Sequence, residues 1–449
     1  MGRIGRNQGV PSLPAAVYPG AFALHTNTEL VENTTRTVFP QIVESLTRPI
    51  KAAEPKTAKK EDSGTIVFKG TFDEVNRFFL ARKWGDGLPL VPPTLKRVEE
   101  FLHYTDLAPD AEIAILPSAS LRATPRNIAV NAVMAGCRPE HMPLLLAMVK
   151  VLGNPSFRLA SSGGSTHCFT SYLCVNGPLA RQLGIDCGQG LIAHPVNHVI
   201  GRALGLIERN IAGFRIKETQ MGSFGKTQSW VLAEDEEAMA AIGWEPYHVE
   251  KGYDKNASTV SVGSSTVWGH NLIPATSDAK IIMQLMAYGL TYKEGFASGI
   301  ILSARTLLMT PPVAKVLAAG GYTRQSLKED LVKNARKITY EWAFSKVYGT
   351  FGRVFTSFEE ELANCLKEEG AEKGKLPPWY PRFPGWEEIQ TTPVLQPGNL
   401  EIFVCGDPNR NKVQTMAGGH LTTTEVVLPE NWDTLMKAAG YPPLKSFYR

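Results

Sequence analysis

The residues best suited to chemistry cluster between Leu159 and Gly201. This stretch holds three of the six cysteines (Cys168, Cys174, Cys187) and three of the nine histidines (His167, His194, His198), but only two charges, Arg181 and Asp186. So few charges imply an interior segment, whose polar side chains must be satisfied by one another, by backbone or by a ligand. Cys168 could act as a nucleophile with His194 or His198 as its base, since such partners are commonly distant in sequence. The alternative is a buried, inert thiol.

A metal is not specified. His194 and His198 have the i, i+4 spacing of ligands on a helix, but Pro195 puts His194 at the cap and no third ligand has diagnostic spacing. Cys168, Cys174 and Cys187 match no common iron–sulfur or zinc pattern, and no cofactor motif is legible. IDCGQGLIAHPVNHV is instead a glycine-rich loop feeding a helix, of the kind that can hold an anion on exposed N–H groups. Arg202 and Arg209 further along that helix would support a carboxylate or phosphate.

Outside this segment three further candidates stand out. EPYHVEKGYD reads as a strand that places His248 and Glu250 on one face, an acid–base or metal-binding pair. Lys226 in GSFGKTQSW is a candidate substrate-contacting ammonium, and Asp86 lies in a Gly-Asp-Gly turn after Trp84. Each also has an ordinary structural reading: a polar strand edge, a solvated lysine, a local turn residue.

The elements that must position these residues alternate between strands and helices, which predicts an α/β fold with mixed, partly parallel sheets flanked by helices in two packed regions. Residues 1–63 read as an extension and linker, 64–270 as a first α/β domain with the Cys/His segment, and 271–449 as a second with a charged helical insert over 325–374. HPVNHVIGRALGLIERNIAG is the strongest helix, with Val196, Val199, Ile200, Ala203, Leu204, Ile207 and Ile211 on one stripe. Gly201 and Gly205 on the opposite side leave room for a ligand or a neighbouring backbone. TIVFKG predicts a short strand, and the helix after it is capped by Thr71 or Asp73.

Charge narrows the function classes. The net charge of +4 comes from scattered Lys and Arg, which argues against nucleic acid as the main partner. The glycine-rich uncharged run is not a membrane span. Sparse, unpatterned cysteine and the lack of a signal-type apolar run predict a cytoplasmic protein, with an organelle as the alternative.

Together and in this order, WGDGLPLVPPT, NAVMAGCRPEHMP, NGPLARQLGI, IGRALGLIERNIAG, FGKTQSW and EPYHVEKGYD resemble a large, mostly uncharacterised microbial family linked to a small partner bearing a selenocysteine/cysteine-Gly-Ser-Cys motif. The resemblance runs from about Phe79 to the C-terminus. It implies one subunit of a heteromeric small-molecule enzyme and draws attention to Asp86, Asn176, Arg202, Asn210, Lys226, His248 and Glu250. The chain departs from that pattern at THCFTSYLC and LIAHPVNH, which introduce His167, Cys168 and His194, and at MTPPVAK, where relatives carry a Ser-Pro-Glu-His-like text.

The leading expectation is therefore an enzyme acting on a small anionic metabolite by acid–base or nucleophilic chemistry of the lyase or hydratase kind. His248 and Glu250 would move protons, Arg202, Asn176, His194, His167 and Asp86 would hold substrate, and Cys168, His198 or Lys226 would attack or assist. The alternatives are a subunit whose active thiol or selenol lies on a partner chain, and a non-catalytic ligand-binding protein. A homo-oligomer fits the first of these readings, a small thiol-bearing subunit the second.

Overall fold

The structure, a computed structural model, describes residues 14–48, 65–167, 169–292, 304–349, 356–396, 398–418 and 421–448. Cys168 and the linker after residue 48 lie outside these residues.

The fold is α/β, built on one mixed seven-stranded sheet. Its strands are β1 (Thr170–Asn176), β2 (Trp230–Ala233), β3 (Thr259–Leu272), β4 (Ala304–Met309), β5 (Leu400–Val404), β6 (Val413–Gly418) and β7 (Thr422–Glu425). The spatial order is β5-β4-β6-β3-β1-β2, and β7 pairs with the first residues of β3. β1 and β2 are parallel, as are β4 and β5, and the remaining pairings are antiparallel. Both parallel pairs are buried on both faces, so their sequences show no alternation of exposed polar and buried apolar residues.

The same three-strand unit occurs twice. β2 joins β1 in parallel and β3 returns antiparallel on the other side of β1; β5 and β6 flank β4 in the same way. No fixed-period repeat marks this in the sequence. β3 runs across the expected division at residue 270, and Val426, Trp432, Met436 and Leu444 pack back into the first core.

Three apolar clusters organise the interior. Helices α1 (Pro125–Ala135), α2 (Met142–Gly153), α3 (Pro178–Leu183) and α4 (Pro195–Asn210) pack on the face carrying Leu173, Val175, Val231 and Val262. Helices α5 (Glu236–Ala241), α7 (Ala279–Tyr292), α8 (Pro311–Ala319) and α9 (Arg324–Asn334) contribute to a second core with Leu307, Met309, Ile402 and Val413. α6, the single turn Tyr247–Glu250, closes the inner face, where Tyr172, Cys174, Leu232, Leu308, Phe403 and Met416 meet. The sheet curls so that its two edge strands touch: Asp235 N–H, just after β2, donates to the Val404 carbonyl of β5 at 2.7 Å.

Several expectations are corrected. EPYHVE is helical rather than extended, because both Tyr247 and His248 are buried and the turn follows Pro246. Residues 65–70 form no strand and instead line a cleft of about 1460 Å³. The N-terminal extension contains helices at Asn27–Asn33 and Phe39–Thr47. The cap at Thr71 is as expected, reciprocated by Glu74.

The two glycines of α4 divide the roles foreseen for them. A Cβ on Gly201 would lie 2.2 Å from the Ser229 carbonyl, so this glycine lets α4 lie against the entry to β2. A Cβ on Gly205 would meet nothing within 4 Å. Gly201→Ala should therefore destabilise the protein by about 1–3 kcal/mol through overpacking, whereas Gly205→Ala should be neutral or stabilising by up to about 1 kcal/mol. Urea denaturation of both variants checks this; equal effects would contradict the assignment.

Candidate functional site

Gly205 opens onto a cleft of about 720 Å³, bounded by α4, the Asp86–Leu88 turn and the segment from Ile216 to Ser229. Arg202, Gly205 and Arg209 face it from α4 at three- and four-residue spacing, which places them on one side of a helix. Arg202 is not free. Its Nε donates to Asp86 Oδ2 at 2.7 Å, and its Nη2 donates to Asp86 Oδ1 at 2.9 Å and to the Pro89 carbonyl at 3.0 Å. Burial works to raise the Asp86 pKa, but hydrogen bonds and charge from Arg202 outweigh it and hold the carboxyl below its usual range. This pair pins the WGDGLP segment to α4, so the substrate-holding role expected of Arg202 is already taken up by Asp86.

The cleft has a second built-in group. Glu208, buried on α4, accepts from the Ser171 hydroxyl with one carboxylate oxygen and from Lys226 Nζ with the other. Lys226 reaches this carboxylate from the cleft wall. Lys217 completes the cations, at the apex of a turn where the N–H groups of Glu218, Thr219 and Gln220 all converge on the Arg215 carbonyl.

A different group gathers at the carboxyl end of the strands. Glu234, just after β2, is fully buried and accepts from Arg324 Nη2 at 2.7 Å, Asn176 Nδ2 at 2.8 Å, Tyr247 N–H at 2.8 Å and Val404 N–H at 3.3 Å. Glu236 accepts the Gly177 N–H at 2.6 Å and stands 3.8 Å from His248 Nδ1. Glu250 lies 3.2 Å from Arg324 Nε, and Lys328 and Lys251 both bind Glu401, at 2.9 and 2.6 Å. Burial raises the Glu234 pKa despite Arg324, and lowers that of His248 despite Glu236. Glu401 falls below its usual range because its two lysines outweigh burial.

These two groups are distinct sites. Ser171 and Asn176 are five residues apart on β1, about 16 Å at the rise of a strand, and point to opposite faces. Asp86, Arg202 and Lys226 belong to the cleft; Asn176, His248 and Glu250 belong to the buried network. His248 and Glu250 do not form the foreseen pair, because the helical turn hands His248 to Glu236 and Glu250 to Arg324.

The remaining candidates disperse. His198 is exposed, and its carbonyl accepts from Gln228 Nε2 at 3.2 Å beside the cleft. His194 caps α4, and His167 is half-buried in a turn, with its pKa lowered by burial. The loop before α4 carries no arginine: Arg202 lies about 10 Å along the helix from Pro195 at 1.5 Å per residue. Asn197 of α4 ties down this loop, accepting from the Asp186 N–H at 2.8 Å and donating to its carbonyl at 2.9 Å. Burial makes these cysteines poor nucleophiles: it pushes the Cys187 thiol up to about 12 and raises those of Cys137, Cys174 and Cys405 as well. Among the described residues one cluster has metal-ligand geometry, Glu361, Cys365 and Glu368, and Lys346 bridges both of its carboxylates.

Sequence reasoning missed Glu208, Glu234 and Arg324. Removing Arg324 leaves the Glu234 carboxylate buried without a cation, so Arg324→Leu should cost about 3–5 kcal/mol, with partial recovery when Glu234→Gln is added. Denaturant unfolding measures both, and a loss below about 1 kcal/mol would contradict this role. No family model, curated protein or solved structure matches the chain.

Proposed function

We propose that the chain is an enzyme acting on a small anionic metabolite by acid–base chemistry at a carbon–heteroatom bond, of the elimination or hydration kind, in the cleft beside α4. One observation carries this reading: of the four cations at the cleft wall, Arg202 is paired with Asp86 and Lys226 with Glu208, which leaves Arg209 and Lys217 facing the cleft. A volume of about 720 Å³ suits a small molecule, and the surplus of positive charge from Arg209 and Lys217 would concentrate an anion there.

Within this reading each group has one task. Arg209 and Lys217 bind the anionic group. Lys226 carries the movable proton and Glu208 fixes its position, while the Ser171 hydroxyl occupies the other oxygen and keeps the carboxylate from rotating. Arg202 and Asp86 hold the wall in place. His248 and Glu250, foreseen as the proton-moving pair, serve the buried network that braces the sheet, and Cys168 is given no part.

Turnover by the full-length protein on a panel of anionic hydroxy, thio and amino acids and their phosphorylated counterparts tests this. Lys226→Met should lower kcat/KM by at least about 100-fold, the scale of one general acid–base group; because it leaves the buried Glu208 without its cation it should also lower the unfolding midpoint, and adding Glu208→Gln should recover stability without recovering activity. Full activity in Lys226→Met would overturn the assignment. Inertness of the pure chain together with activity on adding a thiol-bearing subunit would favour the heteromeric alternative.

A further inference from the structure

The charges in the cleft are not equally available, and the imbalance specifies the ligand more narrowly than "anion". Arg202 is neutralised by Asp86, and Lys226 is offset by Glu208. Arg209 and Lys217 face the same space, and among the described residues neither has a carboxylate partner. The cleft therefore presents two uncompensated positive charges.

The backbone at one of them is strained. Lys217 has φ +64°, a left-handed conformation uncommon for a side chain of this kind. The turn around it is held closed by Thr219, whose hydroxyl donates to the Gly213 carbonyl and accepts the Arg215 N–H at 2.9 Å. A conformation of this sort persists only where its surroundings impose it, and such residues concentrate at ligand clamps.

The rim of the cleft differs from its wall. Ile216, Met221 and Phe224 are exposed, and Phe224 has no cover at all, its relative accessibility being 101%. Ile216 and Met221 line the cleft itself, and Phe224 stands in the same segment between Gly222 and Gly225. Apolar side chains in the segment that also carries Lys217, two of them lining the cleft, suit a ligand with a charged end and an apolar body.

We infer that the cleft binds a dianionic headgroup, a phosphate monoester or a dicarboxylate, through Arg209 and Lys217, with a ring or other apolar body of the ligand lying against Met221, Ile216 and Phe224. This rests on the proposed cleft and deepens it by naming the ligand's charge and shape. Lys217 and Phe224 become recognition residues that the sequence alone did not single out.

Calorimetric titration of the full-length protein with phenyl phosphate, phenylsuccinate, inorganic phosphate and benzoate provides the test. An aryl dianion should bind at least tenfold more tightly than benzoate, and whichever of the two aryl dianions binds better identifies the head as phosphoryl or dicarboxylate. Arg209→Ala and Lys217→Ala should each remove most of that preference while leaving benzoate nearly unchanged. Phe224→Ala should weaken the aryl dianion and spare inorganic phosphate. Benzoate binding as tightly as the aryl dianions, with Lys226→Met still weakening both, would overturn the dianion inference and leave the cleft standing. No saturable binding of any of the four would overturn both. Circular dichroism of the variants separates lost recognition from lost folding.

Discussion

The buried contact between Glu234 and Arg324 is the constraint on which the rest of this architecture depends. Glu234 leaves the end of one edge strand and receives an N–H from the end of the other, so a single carboxylate ties the two margins of the curled sheet. A carboxylate buried so deeply needs a cation and several donors to be tolerated. Arg324 supplies the first, and Asn176, Tyr247 and Val404 supply the rest. The network that extends through Glu250, Lys328 and Glu401 is thus best understood as the closure of a duplicated sheet, with each half contributing one side.

This closure frees the opposite end of β1 for other work. The cleft stands on α4, which is anchored by close backbone approach at Gly201 and by Asn197 bridging Asp186 and the Val231 carbonyl of β2. Rigid placement matters because a proton-moving lysine and an anion-binding pair act only within hydrogen-bond reach of their substrate. The lysine is fixed by Glu208 from the same helix that carries Arg209, so one member of each function is anchored to α4, while Lys217 and Lys226 reach the cleft from the segment opposite.

Much of this was legible in the sequence, and the reasons differ by element. α4 was readable because one apolar stripe at helical spacing faces a core on one side only. Of the parallel strands, β4 and β5 are readable as apolar runs, whereas β1, with Thr170, Ser171 and Asn176, and the four-residue β2 carry too little pattern to stand out. EPYHVE was misread because Tyr247 and His248 are adjacent and both buried, so its alternation carried no information about period. Arg324 and Glu208 lie in text that reads as a solvated helix face; their burial comes from tertiary contacts that leave no local mark. Lys226, Asp86 and Arg202 stand out in the sequence as candidates, and the structure places all three at the cleft. What it could not convey is that Arg202 is already neutralised, since pairing across more than a hundred residues is invisible to spacing.

The most direct test of the account is a crystal structure of the full-length protein with a bound aryl dianion. The account predicts density for the charged head between Arg209 and Lys217, within reach of Lys226 and beside Gly205, with Arg202 still held by Asp86. Density at the buried Glu234–Arg324 network with the α4 cleft empty would contradict it.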